Sequence, residues 1–472
     1  MLLHEAAQVS TTIRSIIEDR NRMKNEYCLI LLAVIVSTVG IRAQQKGKNL
    51  LEHQTEILNW LNEYDVPAVG IGLIQNGKLT DCKVYGEQRD GVPAGDSTIF
   101  TIASVTKTIT TIVTLKLVDS QLWDLDEPLY SYWIDPDVAD DIRHQKLTTR
   151  HVLSHRSGLP NWRSELESKE LEFLFEPGAK YNYSGEGFEY LRKALEQHFH
   201  RSFDELADSI LFTPIGMYDT KFCWENNNID KNRFAFRHNG EGIEYNYQGG
   251  VNTPSASGLL TTIEDFSKFV VYVINQAGLS PELYHEMTST QVSIKTDYNQ
   301  GLGWQIIRNL TNSEYAVFHE GGEWGVSTFA LYLPKSQKGI VVFTNSDNGD
   351  EVCMEALTTF LDVGSEIIDV LTGMSFDPEL IEPVEVSDSI LSSYTGTYFI
   401  ESFQMSIEIK QEANSLEFVS PYSNMSMYAE SETNFFLKDD DIILEFMIDK
   451  NQKASGFVMI FRGSKPEMVL KN

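Results

Sequence analysis

The sequence predicts a mixed α/β protein, an antiparallel sheet flanked by helices with a helical subdomain, plus a small all-β barrel at the C-terminal end. Three observations predict it. A hairpin signal at Asn76-Gly77 and a pair of strand candidates around Pro334 lie at opposite ends of one long segment. The stretch between them, roughly 124–262, is richer in helical spacings and polar loops. After Leu391 the chain changes to short alternating runs, the pattern of a small barrel or sandwich.

The elements follow in chain order. The apolar run Tyr27–Ile41 is shorter than the roughly 20 residues of a spanning helix and follows Met23-Lys24. It reads as a leader over 1–43, with a possible true start at Met23, a core at Cys28–Val36 and a cleavage region at Ile41-Arg42-Ala43. The other reading keeps the run as a membrane anchor. Both place the bulk of the chain outside the cytoplasm, with a periplasmic location expected. Leu51, Ile57, Leu58 and Leu61 predict a helix over Leu50–Glu63. Ala68–Leu73 and a return strand through Val84 form the hairpin. Ser327–Leu333 and Gly339–Phe343, joined by Pro334-Lys335-Ser336, are the later strand pair, so one sheet is assembled from both ends of a domain over 50–370. Gly373, Pro378, Pro383 and the acids beside them predict a linker over 371–386. Seven strand candidates then fill 387–472: Thr397–Ile400, Met405–Ile409, Leu416–Val419, Met425–Tyr428, Phe435–Leu437, Ile442–Ile448 and Gly456–Phe461.

Of 472 residues, 42% are hydrophobic, which leaves ample apolar material for a core and argues against disorder. With 38 basic and 68 acidic residues the formal net charge is -30, so the chain has no electrostatic support for binding nucleic acid or an anionic membrane surface. A membrane is an expected partner only if the leader is retained as an anchor. Removing Cys28 with the leader leaves Cys82, Cys223 and Cys353, which have no metal spacing; one disulfide among them is open but unassigned.

The chemistry-bearing segment is Phe100–Lys107, a loop entering a buried helix whose apolar positions are Ile109, Ile112, Val113 and Leu117. Ser104 and Lys107 stand three residues apart and share a helix face. A serine there has its own amide and the positive helix end beside it, which favours an oxyanion on a substrate. The lysine would have to be nearly neutral to accept the serine proton, a state that burial and a second positive neighbour would produce. Ser104 as a plain helix cap is the other reading of this motif.

Three more segments add weight. His151–Pro160 reads as a helix end turning through Gly158 and Pro160, a turn that fixes a site wall. Tyr183 lies on a glycine-bounded loop after Glu176-Pro177-Gly178, where its hydroxyl could relay a proton or simply pack in a core. His319-Glu320-Gly321-Gly322 stands just before the strand Ser327–Leu333, where glycines permit close backbone approach and a neighbouring amide could complete an oxyanion hole. His319 could hydrogen-bond without charge, or be an ordinary core or solvated histidine. No metal set is legible: His319 has no histidine or cysteine nearby, and the pair His151 and His155 lacks a third ligand.

Taken in order, these motifs resemble the serine beta-lactamase and penicillin-binding-protein-like hydrolase family, in its class C beta-lactamase-related branch with esterases and D-amino-acid peptidases. S-x-x-K is matched by Ser104–Lys107, H-x-L-S-H-x-S-G-L-P by His151–Pro160, and G-x-x-x-x-Y-S-x-x-G by Gly178–Gly187. H-x-G, which stands in this branch for K-T-G, is matched by His319-Glu320-Gly321. Ser257–Phe266 and Gly301–Trp304 are supporting segments. The resemblance covers roughly Leu50–Leu361. It implies that Ser104 is the acylated nucleophile, Lys107 its base and Tyr183 a proton-transfer partner. It also implies an oxyanion hole from the amides of Ser104 and Gly322, with His319 near the leaving group or substrate carboxylate. No cofactor is implied. Tyr183-Ser184-Gly185 departs from the family's Y-x-N, and a fixed cation is missing from the third motif. The expectation is therefore an exported serine hydrolase of esters or amides, D-amino-acid peptides among them. The alternatives are a beta-lactamase or D,D-peptidase, and a low-turnover penicillin-recognising binding or sensory protein. From about Ser387 the chain resembles small lipocalin-like barrels through Leu391, Tyr394, Gly396 and Tyr398, placed on a first strand.

Overall fold

The computed structural model describes residues 49–222, 231–246, 255–372, 384, 386–400, 405–412, 415–420, 424–429, 431–437, 442–448, 453–461 and 467–471. The expected leader, most of the expected linker, Cys28 and Cys223 lie outside these residues. The chain divides into two compact units at Gln54/Thr55, and the second contains both open sheets and the barrel. No helix among the described residues is long and apolar enough to cross a membrane. Cys82 and Cys353 are free thiols.

The first helix, α1, spans Gln54–Glu63 and buries Ile57, Trp60 and Leu61. The strands β1 (Ala68–Gln75) and β2 (Lys78–Arg89) form the expected hairpin, closed at Gln75↔Lys78. Asn76 and Gly77 both take left-handed backbone, at φ 51 and 65, the conformation that matches a two-residue turn to the twist of its strands. After the short β3 (Val92–Pro93), the chain leaves this sheet. It forms β4 (Ile99–Thr101), β5 (Lys221–Phe222) and β6 (Leu259–Thr262), a separate three-stranded sheet in the order β4-β6-β5. Phe100 and Thr101, expected in a loop, belong with Ile99 to a strand; three residues are too few to show alternation, and pairing with β6 makes them one.

The main sheet resumes with β7 (Val292–Lys295), β8 (Tyr298–Gln300), β9 (Gln305–Leu310), β10 (Glu314–Glu323), β11 (Val326–Leu333) and β12 (Lys338–Thr344). Its order is β3-β2-β1-β12-β11-β10-β9-β8-β7, so the first strand pairs with the last, from Val69↔Thr344 to Ile74↔Gly339. The continuous apolar run of β1 follows from cover on both faces. Helix α4 (Ile263–Ile274) lies against the face of Gly70 and Gly72, whereas Gly349, which opens α5 (Gly349–Phe360), meets Thr344 on the other face. The helical part contributes α2 (Thr106–Asp119) and α3 (Gly185–Phe199). A single apolar core runs from Ile109 and Ile112 of α2 through Phe266 of α4 to Val317 and Val341 of the sheet. Each such fully buried aliphatic side chain contributes roughly 1.5–3 kcal/mol.

The C-terminal part is a closed barrel of eight antiparallel strands, each paired with its neighbour in sequence. They are β13 (Gly396–Ile400), β14 (Met405–Glu412), β15 (Ser415–Val419), β16 (Asn424–Ala429), β17 (Asn434–Leu437), β18 (Ile442–Ile448), β19 (Ala454–Phe461) and β20 (Glu467–Lys471). The last strand, not among the seven expected from alternation, closes the barrel at Tyr398↔Lys471 and Phe399↔Leu470. Leu391 and Tyr394, expected on the first strand, sit instead on a short helix, α6 (Asp388–Tyr394). There the Tyr394 ring stacks on Phe446 at 4.1 Å and its hydroxyl donates to the Glu432 carbonyl.

Candidate active site

The chain enters α2 through a strained step. Ala103 holds φ 45, a conformation that side chains with a Cβ disfavour, and begins the 3₁₀ turn Ala103–Val105 that carries Ser104. The hydroxyl of Thr328, on β11, donates to the Ile102 and Gly321 carbonyls at 2.8 and 3.2 Å, tying this turn to the sheet. Lys107 is in the first turn of α2, and its Nζ lies 3.1 Å from Ser104 Oγ. It also donates to the Ala256 carbonyl at 2.8 Å. The Ala256 segment is itself held by Glu189 of α3, which accepts from the Ser255 and Ala256 amides.

Lys107 has no exposed surface, and this burial pushes its amine down to about 7. Glu189 and Glu323 act the other way. The second positive neighbour expected from the sequence is not what lowers it: no cation contributes. The walls are apolar instead, with Tyr183, Phe188 and Trp162 rings 4.9, 5.6 and 6.0 Å from Nζ. Tyr183 stands beside Ser104. Burial holds its phenol well above the ordinary range, against a smaller downward pull from the Ser104 hydroxyl, so at neutral pH it is a proton donor and not a phenolate.

The turn at 151–160 supports this tyrosine. A short helix, Thr149–Leu153, ends there, and His155 takes φ 52 and stacks its ring on Tyr183 with centroids 4.3 Å apart. Its Nδ1 accepts the Ser184 amide at 3.1 Å, while the Ser184 hydroxyl donates to the Pro160 carbonyl and accepts the Gly187 amide, capping α3. Burial, then Lys107 and His319, keep His155 well below the usual histidine range. His155 was not singled out from the sequence as a functional side chain, although the motif that contains it was.

His319, Glu320, Gly321 and Gly322 do stand before the expected strand, β11, but they are themselves the last part of a strand, β10. Pairing with β9 stops at Phe318↔Gln305, so among the described residues His319–Glu323 have a ladder partner only on the β11 side. The turn carrying Ser104 packs against that strand. A Cβ on Gly321 would stand 2.6 Å from the Ile102 carbonyl oxygen and 3.0 Å from the Ser104 amide nitrogen, an approach that only glycine allows. A Cβ on Gly322 would meet nothing within 4 Å. His319 is buried; burial, then Lys107, push it down to about 3, and Nδ1 donates to the Glu320 carbonyl at 2.7 Å. A neutral ring with its proton on Nδ1 leaves Nε2 as an acceptor.

These groups surround a cavity of about 590 Å³, within the range of ligand sites. Ser104, Tyr183, His319 and Gly322 line it together; Lys107 sits behind Ser104. The lining also includes Trp162, Tyr181, Gln305, Glu320, Glu323 and Asp350, to none of which the sequence alone assigns a role. Tyr181 and Glu320 lie inside motifs, and Trp162, Gln305 and Glu323 stand within two residues of one; Asp350 is far from any. Glu320, accessible from the cavity yet deep within it, has its carboxyl pushed up to about 7 by burial and by Asp350, against the pull of Lys295.

The beta-lactamase family model matches residues 43–361 of this sequence. The chain belongs to the beta-lactamase family. Among similar proteins, "Protein flp" of Staphylococcus aureus strain MRSA252 is 24% identical over 337 residues, covering 64% of this chain and 63% of that protein. The match thus spans less than two thirds of that relative's own length. "Penicillin-binding protein 4*" of Bacillus subtilis strain 168 is 22% identical over 433 residues, covering 82% of this chain and 90% of its own. Among solved structures, an octameric penicillin-binding protein homologue from Pyrococcus abyssi superimposes with a TM-score of 0.59 at 19% identity, over 89% of this chain and all of that one. The beta-lactamase family fold therefore carries a distinct C-terminal barrel in this chain, and the superfamily of that fold includes serine hydrolases.

Proposed function

We propose that the protein is a serine hydrolase that forms an acyl-enzyme on Ser104 from ester or amide substrates. The observation that carries this reading is the 3.1 Å approach of Lys107 Nζ to Ser104 Oγ, with an amine that burial brings to about 7. Ser104 Oγ attacks the substrate carbonyl carbon as its proton passes to Nζ. The developing oxyanion is held by the amides of Ser104 and Gly322. As the bond to the leaving oxygen or nitrogen breaks, the Tyr183 hydroxyl supplies a proton to it and is recharged from Lys107. Water then attacks the acyl carbon by the same route in reverse.

The cavity also favours one class of substrate. Glu320, Glu323 and Asp350 line it, Glu323 is paired with Arg237 at 3.0 Å, and no lysine or arginine is among the described lining residues. His319 Nε2 presents an acceptor. Such walls suit acyl or leaving groups that are neutral or carry an amine, D-amino-acid esters and peptides included, and disfavour the carboxylate borne by beta-lactams and by peptide C-termini. We further read the chain as exported, on the apolar run at 27–41, and its barrel as lipocalin-like, on the up-and-down order of eight strands.

The test is an intact-mass measurement with an activated ester, followed by rates at pH 8 on two chromogenic esters of equal size, one with an amine and one with a carboxylate. Wild type should gain one acyl group that Ser104→Ala does not, and should prefer the amine ester by at least about tenfold. Labelling in the alanine variant would remove Ser104 from its role. Equal rates, or preference for the carboxylate, would overturn the substrate class. A stable adduct with no turnover would favour the binding or sensory reading.

A further inference from the structure

A second cluster of ligating groups lies away from the cavity. Asp90, in the turn between β2 and β3, and His238 and Glu244, on a bridge of the segment 238–244, bring one carboxylate oxygen each and an imidazole nitrogen within 4.8 Å of one another. None of the three lines the cavity around Ser104.

The decisive group is His238. It has no exposed surface, and its backbone is pinned on both sides: its amide donates to the Asn345 carbonyl and its carbonyl accepts the Asp347 amide. Its Nδ1 lies 3.2 Å from the Asn345 carbonyl oxygen and 3.3 Å from Asn345 Nδ2. The Asn345 side chain decides between them. Its Oδ1 accepts the Ala68 amide, which fixes the orientation of the side-chain amide, and the two protons of Nδ2 go to the Phe236 and Glu87 carbonyls. No proton remains for Nδ1 to accept, so Nδ1 carries its own and donates it to the Asn345 carbonyl. The lone pair is then on Nε2. That nitrogen is buried without a hydrogen-bond partner and lies 3.9 Å from Asp90 Oδ1.

Glu244 Oε1 accepts the Asp90 amide at 2.6 Å, which ties the two carboxylates together, but no donor reaches the imidazole lone pair that lies among them. A cation between them satisfies it. The backbone-anchored Nδ1–H is the support that metal-binding histidines characteristically have, because it fixes ring orientation and tautomer. We propose that Asp90, His238 and Glu244 form a binding site for a first-row divalent cation of the zinc type. One nitrogen and two carboxylate oxygens suit such an ion better than calcium, which takes an all-oxygen shell. Bond lengths of about 2.0–2.2 Å bring ligand atoms closer together than 3.9 Å, and Asp90, with 81% of its side chain exposed, is free to close the gap. The remaining positions are open to water. Bound there, the ion cross-links the β2–β3 turn to the segment 238–244, next to Arg237, whose guanidinium holds Glu323 in the cavity wall.

The test uses the full chain, stripped with chelator, titrated calorimetrically with Zn²⁺ and followed by thermal unfolding. One equivalent should bind and raise the unfolding temperature. Asp90→Asn, at an exposed position, should fold normally yet weaken binding by at least about tenfold and lose the thermal shift. Glu244→Gln should weaken it similarly, and Co²⁺ in place of Zn²⁺ should give a visible absorption band in wild type that both variants reduce. Absence of binding at millimolar metal would overturn the site, as would binding that neither substitution changes.

Discussion

At the scale of single residues, the reactive centre rests on an amine kept from water. Lys107 is charged in an unfolded chain at neutral pH and on the edge of losing its proton in the folded one, because its folded value, about 7, lies below the ordinary 10.5. Both rate and stability should register this. Acylation of Ser104 should rise with pH through about 7 as the amine becomes free. Glu320→Gln should leave that rise in place, which separates Lys107 from the other group titrating near 7. Stability behaves similarly: the contribution of Lys107 is fully present above 10.5 and lost as pH falls through about 7, since the folded state then has to hold a buried ammonium. Urea unfolding of wild type and Lys107→Met at pH 7 and 10 should show the difference between them moving toward wild type by about 3–4 kcal/mol at the higher pH. A pH-independent difference would contradict the burial account. The pairing of Ser104 and Lys107 was legible from spacing alone, because helix geometry brings positions three apart together. The cause of the lysine's lowered value was not, since burial depends on Tyr183, Phe188 and Trp162 arriving from distant segments.

At the scale of elements, the site depends on how closely β10 approaches the turn before α2. Gly321→Ala would press a methyl group into the Ile102 carbonyl and the Ser104 amide, whereas Gly322→Ala would project into open space. Gly321→Ala should slow acylation by roughly 100-fold, the scale of a misplacement near 1 Å, and lower the unfolding free energy by about 1–3 kcal/mol. Gly322→Ala should leave stability unchanged. Stopped-flow acylation with thermal denaturation of both variants checks this; equal destabilisation would show that the approach is not what demands the glycine. The hairpin β1–β2 was readable because Asn76-Gly77 states its turn chemistry locally. The placement of His319–Gly322 inside a strand was not, because a run holding two glycines carries no β signal. What makes it a strand is pairing with β11.

At the scale of the whole molecule, two apolar cores share no residue: one runs through the helices and main sheet, the other fills the barrel around Tyr398, Phe446 and Phe457. Phe446 stacks on Tyr394 and meets the edges of Phe435 and Phe457, so Phe446→Ala should cost the barrel about 3–5 kcal/mol. In a denaturant titration followed by circular dichroism, the variant should unfold in two steps, with Ser104 still labelled after the first. Loss of labelling in the same step as the barrel would tie the two cores together. Alternation exposed seven of the barrel's strands. The eighth, Glu467–Lys471, is no shorter than strands that were legible, but what makes it a strand is pairing with β13 and β19, and Tyr394 reads as a strand residue until its ring is seen packed on Phe446.

The pairing of β1 with β12 has a bearing on how the protein is made. During synthesis the opening hairpin emerges hundreds of residues before its permanent neighbour, and until then one side of Ala68–Gln75 offers unsatisfied amides and carbonyls to any passing chain. A nascent polypeptide of this design needs either an escort that shields that edge or a delay in folding until the strand at 338–344 has been delivered.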